Sequence, residues 1–164
     1  LVNSEKSGTI SSSMLENGAM KFRTIDRRVQ EDAFKVDWLQ PNAGQLRIYH
    51  DFVQDMRSYP EAQSALSFDY KLDATLDAPL WLQVNCTDTC QSDIDLSPHM
   101  SFSQPAKWQT ISIDLACFEQ GAEDFSKVGI PFALRSAGIL SLSLSNISII
   151  PDAADKADVQ CAAQ

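Results

Sequence analysis

The chain has 164 residues, with 13 basic and 22 acidic side chains and a formal charge of −9. This length fits one domain built around a single hydrophobic core. The negative charge opposes contact with phosphate backbones and anionic lipid headgroups, so we expect neither nucleic acid nor membrane as a partner.

The two ends of the chain are polar. The N-terminal segment lacks the basic start and apolar centre of a signal peptide, and no run approaches the roughly 18 apolar residues of a membrane-spanning helix. We therefore expect a mature fragment of a longer chain. Its predicted parts are a linker over residues 1–13, a domain over 14–151 and a C-terminal tail over 152–164 held by Cys161.

Alternation of apolar and polar residues dominates the chain between these ends. It predicts strands that begin near residues 20, 32, 45, 65, 78, 108, 130 and 139. The last strand, "ILSLSLSNISII", changes phase, which predicts a β-bulge near Asn146. Short helices are predicted around "SDIDLSPHM" and "GAEDFSKVG". Many short strands separated by Pro, Gly, Asn and Asp turns indicate an all-β fold, an antiparallel β-sandwich.

The segment "APLWLQVNC", residues 78–86, places leucines on one face and Trp81, Gln83 and Asn85 on the other. An indole ring stacks on the apolar C–H face of a sugar, and amide side chains bond sugar hydroxyls. Asp69 and Lys71, outward residues of the preceding strand, join this group if the two strands pair directly. The segment is a candidate sugar-binding strand. The alternative is that Trp81 packs under a loop or against a neighbouring domain.

Other aromatic residues are assigned by their position. Alternation places Trp38 in the core, and Trp108 opens a strand, where we expect it to plug the core edge. Tyr49, Arg57 and Tyr59 lie in or near a predicted loop, "HDFVQDMRSYP", which either projects towards a ligand or is simply solvated.

Four cysteines allow three pairings. A zinc site normally needs closer spacing and often histidine, and both histidines lie far from either cysteine pair. We prefer two disulfides, Cys86 with Cys90 and Cys117 with Cys161. Such bonds imply an oxidising compartment, the periplasm or the outside of the cell. The alternative is four reduced, buried thiols in a cytosolic protein.

A family resemblance rests on several stretches together. They are "EDAFKVDWLQ", "ALSFDYKLDA", "APLWLQVNCTDTC", "WQTISIDLACFEQGAEDFSKVGIPFAL" and "LSLSLSNISIIP". Over residues 20–151 the chain resembles the C-terminal domain appended to some bacterial family 3 glycoside hydrolases, which are exo-acting β-glucanases and β-glucosidases. The resemblance implies a galactose-binding-like jelly roll, preceding catalytic domains in the same chain, and a β-glucan or gluco-oligosaccharide as partner.

The resemblance also raises the question of catalysis and of a metal. Family 3 enzymes carry their nucleophile in a Ser-Asp-Trp motif, and this chain has "VDW" around Asp37, with Val in place of Ser. A retaining glycosidase needs a second carboxyl group about 5 Å away, and the sequence marks none, so we expect no catalytic residue. Galactose-binding-like sandwiches often hold a structural calcium. The acidic residues Asp88, Asp93 and Asp95 form no "DxDxDG" loop, so we expect a solvated turn and no cofactor, with calcium as the alternative.

Three functions remain compatible with these features. The leading hypothesis is a non-catalytic accessory domain of a secreted exo-β-glucanase or β-glucosidase, which positions or channels the glucan beside the catalytic domains. The second is an autonomous carbohydrate-binding module. The third is a purely structural domain with Trp81 at an interdomain interface.

Overall fold

A computed structural model describes residues 9–11, 18–49, 52–84, 93–119 and 125–161. Ten strands are present in this part of the chain. They are β1 (Thr9–Ser11), β2 (Met20–Ile25), β3 (Ala33–Trp38), β4 (Gln45–Tyr49), β5 (Ala65–Leu72), β6 (Leu80–Gln83), β7 (Asp93–Asp95), β8 (Gln109–Asp114), β9 (Phe132–Ser136) and β10 (Leu140–Ile150). Two short helices are α1 (Ser58–Glu61) and α2 (Ala116–Glu119), and 3₁₀ turns cover Phe125–Lys127 and Ala154–Lys156.

The strands form two antiparallel five-stranded sheets. The first sheet has the order β1-β4-β9-β6-β7, and the second has the order β2-β3-β10-β5-β8. Alternation turns one face of each sheet inwards, and the two inner faces bury a shared core. Phe68 of the second sheet meets Phe132 of the first edge to face, with ring centroids 5.3 Å apart. The predicted antiparallel β-sandwich is confirmed.

The predicted bulge in β10 is also confirmed. The register between β10 and β5 shifts between Ser145 and Ser148. Asn146 lies inside this shift with a φ of 52°, a left-handed conformation that asparagine tolerates better than most residues. The extra residue returns Ile147 to the core, which explains the change of phase in the sequence.

Several short elements differ from the sequence prediction. Strand β1 lies inside the predicted linker and pairs with β4, so the first sheet begins before residue 14. The segment 92–100, predicted as helix, instead contains β7, which pairs with β6. A strand of three residues is too short to show an alternation in the sequence. It is a strand because it pairs with β6, which depends on tertiary context. Of the segment 121–129 the structure describes residues 125–129, in which Phe125–Lys127 form a 3₁₀ turn.

The C-terminal tail is attached to the second sheet. A disulfide joins Cys117 and Cys161, as predicted. Val159 forms a parallel bridge with Ile113, and the carboxylate of Asp158 accepts hydrogen bonds from the amide and hydroxyl of Ser112. The predicted Cys86–Cys90 bond lies outside the described residues, and the domain boundaries stay predictions. No helix in the described ranges is long and apolar enough to cross a membrane.

Candidate functional site

Trp81 lies on the outer face of the first sheet. It belongs to β6, which is hydrogen-bonded between β9 and β7. Its neighbours Leu80 and Leu82 are fully buried in the core, whereas the Trp81 side chain is half-buried. The alternation of "LWLQ" therefore turns the indole away from the core, as the sequence predicts.

The outward residues of four neighbouring strands surround this indole. Arg135 of β9 stands opposite Trp81 on one side and Asp95 of β7 on the other. Two residues further along β6, Gln83 lies between Ala133 and Asp93. We call this surface the Trp81 face. Its members are Gln45, Arg47, Trp81, Gln83, Asp93, Asp95, Ala133 and Arg135.

Arg135 holds the indole in place. Its guanidinium carbon lies 3.9 Å from the centroid of the Trp81 ring, a cation–π arrangement. The same guanidinium donates to a carboxylate oxygen of Asp93 at 3.3 Å, and both side chains remain about one third exposed. Because one cation contacts both the aromatic ring and the acid, the three side chains have a defined relative orientation.

A chain of hydrogen bonds extends this arrangement across the sheet. Arg47 Nε donates to Gln45 Oε1 at 2.7 Å, and Gln45 Nε2 donates to Gln83 Oε1 at 2.5 Å. Gln83 Nε2 then donates to Asp93 Oδ1 at 2.6 Å. The polar side chains of β4, β6 and β7 are thus connected, and a ligand would meet a surface that is already ordered.

Gln83 has a different role from the one predicted. The sequence favours it as a partner for sugar hydroxyls, but its side chain is 2% exposed and both of its amide atoms are bonded within the Trp81 face. Long neighbouring side chains cover it, which alternation alone does not reveal. Gln83 supports the face from beneath. Asn85, the third predicted member, lies outside the described residues.

Asp69 and Lys71 do not join this site, which corrects the prediction. Their strand β5 pairs with β10 and β8 in the second sheet, and not with β6. The chain passes from one sheet to the other between β5 and β6, so consecutive strands do not pair. Asp69 and Lys71 lie on the outer face of the opposite sheet.

The three residues predicted in or near the loop lie around its two ends. Tyr49 is the last residue of β4, in register with Thr9, and directly precedes the loop segment. The exposed Arg57 forms an ion pair with Asp55, and the hydrogen bonds from Arg57 lower the pKa of that carboxyl to about 2. Tyr59 is exposed within α1.

The other two tryptophans occupy contrasting environments. Trp38 is fully buried, as predicted, and its indole N–H donates to the carbonyl of Gly44 at 3.1 Å. Trp108 was expected to plug the core edge, but it is half-buried beneath two cations on the outer face of the second sheet. Arg27 lies 4.4 Å and Lys71 5.6 Å from its ring centroid. Trp108 directly precedes β8 with the parity of the outward residue Thr110, which explains the difference.

Asp37 lies on the outer face of the second sheet, as its parity predicts. It accepts a hydrogen bond from Ser141 Oγ at 2.6 Å, and the same Oγ lies 3.0 Å from a carboxylate oxygen of Asp73. The structure therefore supplies a neighbouring carboxyl that the sequence did not mark. Burial raises the pKa of Asp73, but hydrogen bonds from Lys35 and Ser141 outweigh it, and the pKa lies below its ordinary value. Asp73 is thus poorly suited to donate a proton to a leaving group.

The acidic residues considered for calcium are engaged by protein groups. Asp93 accepts from Gln83 and Arg135, and Asp95 accepts from the backbone amide of Ser97 at 2.9 Å. Within the described ranges, no group of three or more histidine, cysteine or acidic residues is arranged to hold a metal. Asp88 lies outside those ranges, and the expectation of no cofactor stays a prediction.

Sequence reasoning missed six members of the Trp81 face, and it considered two of these, Asp93 and Asp95, only as possible calcium ligands. The six are Gln45, Arg47, Asp93, Asp95, Ala133 and Arg135. The alternation of "PFALR" does mark Arg135 as outward, because Phe132 and Leu134 are the apolar positions. What the alternation does not reveal is that β9 lies between β4 and β6. Strand order is set by contacts between segments that are distant in sequence. The alternation therefore identifies which residues point outwards, but it does not show which of them lie side by side.

Two solved structures from one bacterial enzyme are similar to this chain. Exo-1,3/1,4-beta-glucanase (ExoP) from a Pseudoalteromonas species superposes with a TM-score of 0.68 at 20% identity, over 88% of this chain and 17% of the enzyme. The chain thus spans less than a fifth of that protein. The separate extra C-terminal domain of ExoP gives a TM-score of 0.67 at 19% identity, over 91% of this chain and 82% of that domain.

A third structure contains a bound sugar. The family 11 carbohydrate-binding module from Clostridium thermocellum, in complex with a beta-1,3-1,4-mixed-linked tetrasaccharide, gives a TM-score of 0.53 at 12% identity, over 80% of this chain and 82% of the module. A search of curated protein sequences gave no match. The family model Exop_C, described as galactose-binding domain-like, matches residues 1–149. With its two antiparallel sheets, the chain belongs to the Exop_C family of galactose-binding-like β-sandwich domains.

Proposed function

We propose that this chain is a non-catalytic accessory domain of a secreted exo-β-glucanase or β-glucosidase of family 3, and that its Trp81 face binds a β-glucan chain. The observation that carries the proposal is the half-buried Trp81 indole on the outer face of a sheet, held by Arg135 and flanked by Asp95. Membership of the Exop_C family and the sugar-bound family 11 module support it.

The chemistry of the face suits a neutral sugar. A pyranose ring buries its C–H face on an indole, and its hydroxyls bond to paired donors and acceptors. Asp95 stands beside Trp81 in the register and supplies a carboxylate acceptor, while Arg135 and Arg47 supply guanidinium donors. Because internal hydrogen bonds already order these side chains, little conformational entropy is lost when a ligand binds.

The proposed role is to position or channel the glucan beside catalytic domains that precede this domain in a longer chain. The ExoP enzyme, of which this chain covers 17%, supports a multidomain context. The Cys117–Cys161 disulfide supports a periplasmic or extracellular location. The lowered pKa of Asp73 argues against a retaining acid–nucleophile pair on the opposite sheet.

Isothermal titration with a mixed-linked β-1,3-1,4 gluco-oligosaccharide tests the binding step. We expect the wild-type chain to bind and Trp81→Ala to lose about tenfold or more in affinity, since stacking on an aromatic ring contributes more than about 1 kcal/mol. Trp108→Ala is the matched control, because it also removes a half-buried indole beneath an arginine, but from the opposite sheet. Equal losses in the two variants would contradict the assigned face.

A second experiment separates the accessory role from the alternatives. In the full-length protein, Trp81→Ala should reduce kcat/KM on a long β-glucan more than on a short aryl glucoside, since only a long chain reaches a remote face. Unchanged activity on both substrates, with binding by the isolated domain retained in the wild type, favours an autonomous binding module. Wild-type binding that is absent altogether favours a structural domain with Trp81 at an interface.

A further inference from the structure

The outer face of the second sheet carries a line of basic side chains. Arg23 of β2 stands opposite Lys35 of β3, Lys35 stands opposite Ser143 of β10, and Ser143 stands opposite Lys71 of β5. The line ends at Trp108, whose ring centroid is 5.6 Å from Lys71 Nζ. We call Arg23, Lys35, Ser143 and Lys71 the cation row. The row thus places three basic side chains on one face of a chain whose net charge is −9.

The acidic residues of this face already have partners. Asp69 is held by Arg27 and accepts further hydrogen bonds from Thr110 and Asn146. Asp73 is bound by Lys35, which belongs to the row. Asp37 accepts from Ser141 and stands opposite Lys21. The described hydrogen bonds and ion pairs of these three carboxylates are made by groups other than Arg23 and Lys71, although the charge of Lys71 helps to lower the pKa of Asp73.

Two cations of the row, Arg23 and Lys71, form no salt bridge in the described part of the chain. Arg23 is also paired directly with Lys35 on the adjacent strand, and like charges in paired positions destabilise a sheet. The row therefore holds three cations with one ion-paired carboxylate, Asp73, among the described residues, and keeps an excess of positive charge.

Ser143, in the middle of the row, points to the same conclusion. The residue is 1% exposed although it lies on the outer face, and its hydroxyl oxygen has no hydrogen-bond partner in the described part of the chain. A buried hydroxyl without a partner costs about 1–3 kcal/mol, so such groups are uncommon in folded proteins. Lys35 and Lys71 flank Ser143 in the register, and their long flexible side chains can rearrange around a ligand placed above the hydroxyl.

We propose that the cation row binds a carboxylate or sulfate group of an acidic polysaccharide. The anion lies over Ser143, accepts a hydrogen bond from its hydroxyl, and is flanked by the ammonium groups of Lys35 and Lys71. Arg23 contacts a further part of the extended chain. This site is on the sheet opposite the Trp81 face and does not depend on the function proposed for that face.

The surroundings of the row favour a polysaccharide over a protein partner. Stable protein interfaces have an apolar centre with a polar rim. None of the large apolar side chains that are exposed in the described ranges is a member of the row; they are Val29, Leu39, Phe52, Val53, Tyr59, Ile139 and Ile150. A row of cations without an exposed apolar centre suits a hydrated polyanion.

Binding of polygalacturonate and of dextran sulfate to the 164-residue chain tests this proposal. We expect binding of at least one of them at low ionic strength, with affinity that falls as salt is added. The double variant Arg23→Gln/Lys71→Gln should bind about tenfold or more weakly, because charge-assisted contacts to both side chains are lost. The matched control, Lys127→Gln/Lys156→Gln, makes the same charge change in two 3₁₀ turns away from the row and should stay within about twofold.

Ser143→Ala tests the proposed hydrogen bond to the anion separately from the effect of charge. It keeps every charge, so we expect weaker anion binding, together with a melting temperature that is unchanged or higher because an unpaired buried hydroxyl is removed. The proposal is wrong if neither polysaccharide binds, if both double variants weaken binding equally, or if Ser143→Ala binds as well as the wild type. Equal affinity for poly-L-glutamate would also overturn the assignment to a polysaccharide.

Discussion

Replacing Trp38 and Trp81 in turn by alanine should separate their two environments by the loss in the free energy of unfolding. Trp38 is fully buried, and its indole N–H bonds to the Gly44 carbonyl, so Trp38→Ala should lower the free energy of unfolding by about 3–5 kcal/mol. Trp81 is half-buried and makes a cation–π contact with Arg135. Because less apolar surface is lost, Trp81→Ala should lower the free energy of unfolding by only about 1–2 kcal/mol.

The assay is urea unfolding followed by circular dichroism, which does not depend on the fluorescence of the tryptophans that are removed. The slope of the transition should stay constant, so that midpoints report stability directly. A double-mutant cycle with Arg135→Ala should give a coupling of about 0.5–1 kcal/mol with Trp81→Ala. If Trp81→Ala costs as much as Trp38→Ala, the indole is part of the packed core and the argument for an available aromatic face fails.

Three further changes test the fold and its electrostatics. The disulfide between Cys117 and Cys161 spans 44 residues, and replacing both by alanine should cost about 4 kcal/mol and lower Tm by roughly 10 °C; a loss below about 1 kcal/mol would contradict this. Asp69 has a pKa below its ordinary value of 3.8, because hydrogen bonds outweigh the opposing effect of burial. Its charged form thus stabilises the fold above pH 3.8, and this contribution is lost as the pH falls through the lower folded-state pKa. The free energy of unfolding of Asp69→Asn should therefore decline less steeply in acid than that of the wild type. An equally steep decline in both proteins would contradict the role given to Asp69. A Cβ at Gly138 would lie 2.6 Å from the Cβ of Ala78, so Gly138→Ala should cost about 1–3 kcal/mol in the same urea assay, and an unchanged midpoint would show that the loop adjusts freely.

The sequence predicts on which face of a strand a residue lies better than it predicts which strands are neighbours in a sheet. The alternation in β6 correctly turns Trp81 outwards, and the phase change in β10 correctly locates the bulge at Asn146, because both depend on local periodicity. The grouping of Asp69 and Lys71 with Trp81 fails, because it requires β5 to pair with β6. Pairing depends on which sheet each strand joins, and no local pattern contains that information.

Burial on an outer face is equally hard to predict. Gln83 and Ser143 both have outward parity, yet both are almost fully covered by neighbouring side chains. Trp108 shows the same difficulty in reverse, since a residue expected at the core edge lies beneath Arg27 on the outside. Cover of this kind comes from long side chains on adjacent strands, so it becomes visible only when the strand order is known.

The most direct test of the proposed glucan site is a titration monitored by NMR of the indole N–H signals. The chain has three tryptophans, one in the core and one on the outer face of each sheet, so the three signals report on three separate places. Addition of a mixed-linked β-1,3-1,4 gluco-oligosaccharide should shift the signal of Trp81 in a saturable manner and leave those of Trp38 and Trp108 in place. A shift confined to Trp108, or saturable binding with no change at Trp81, would contradict the account.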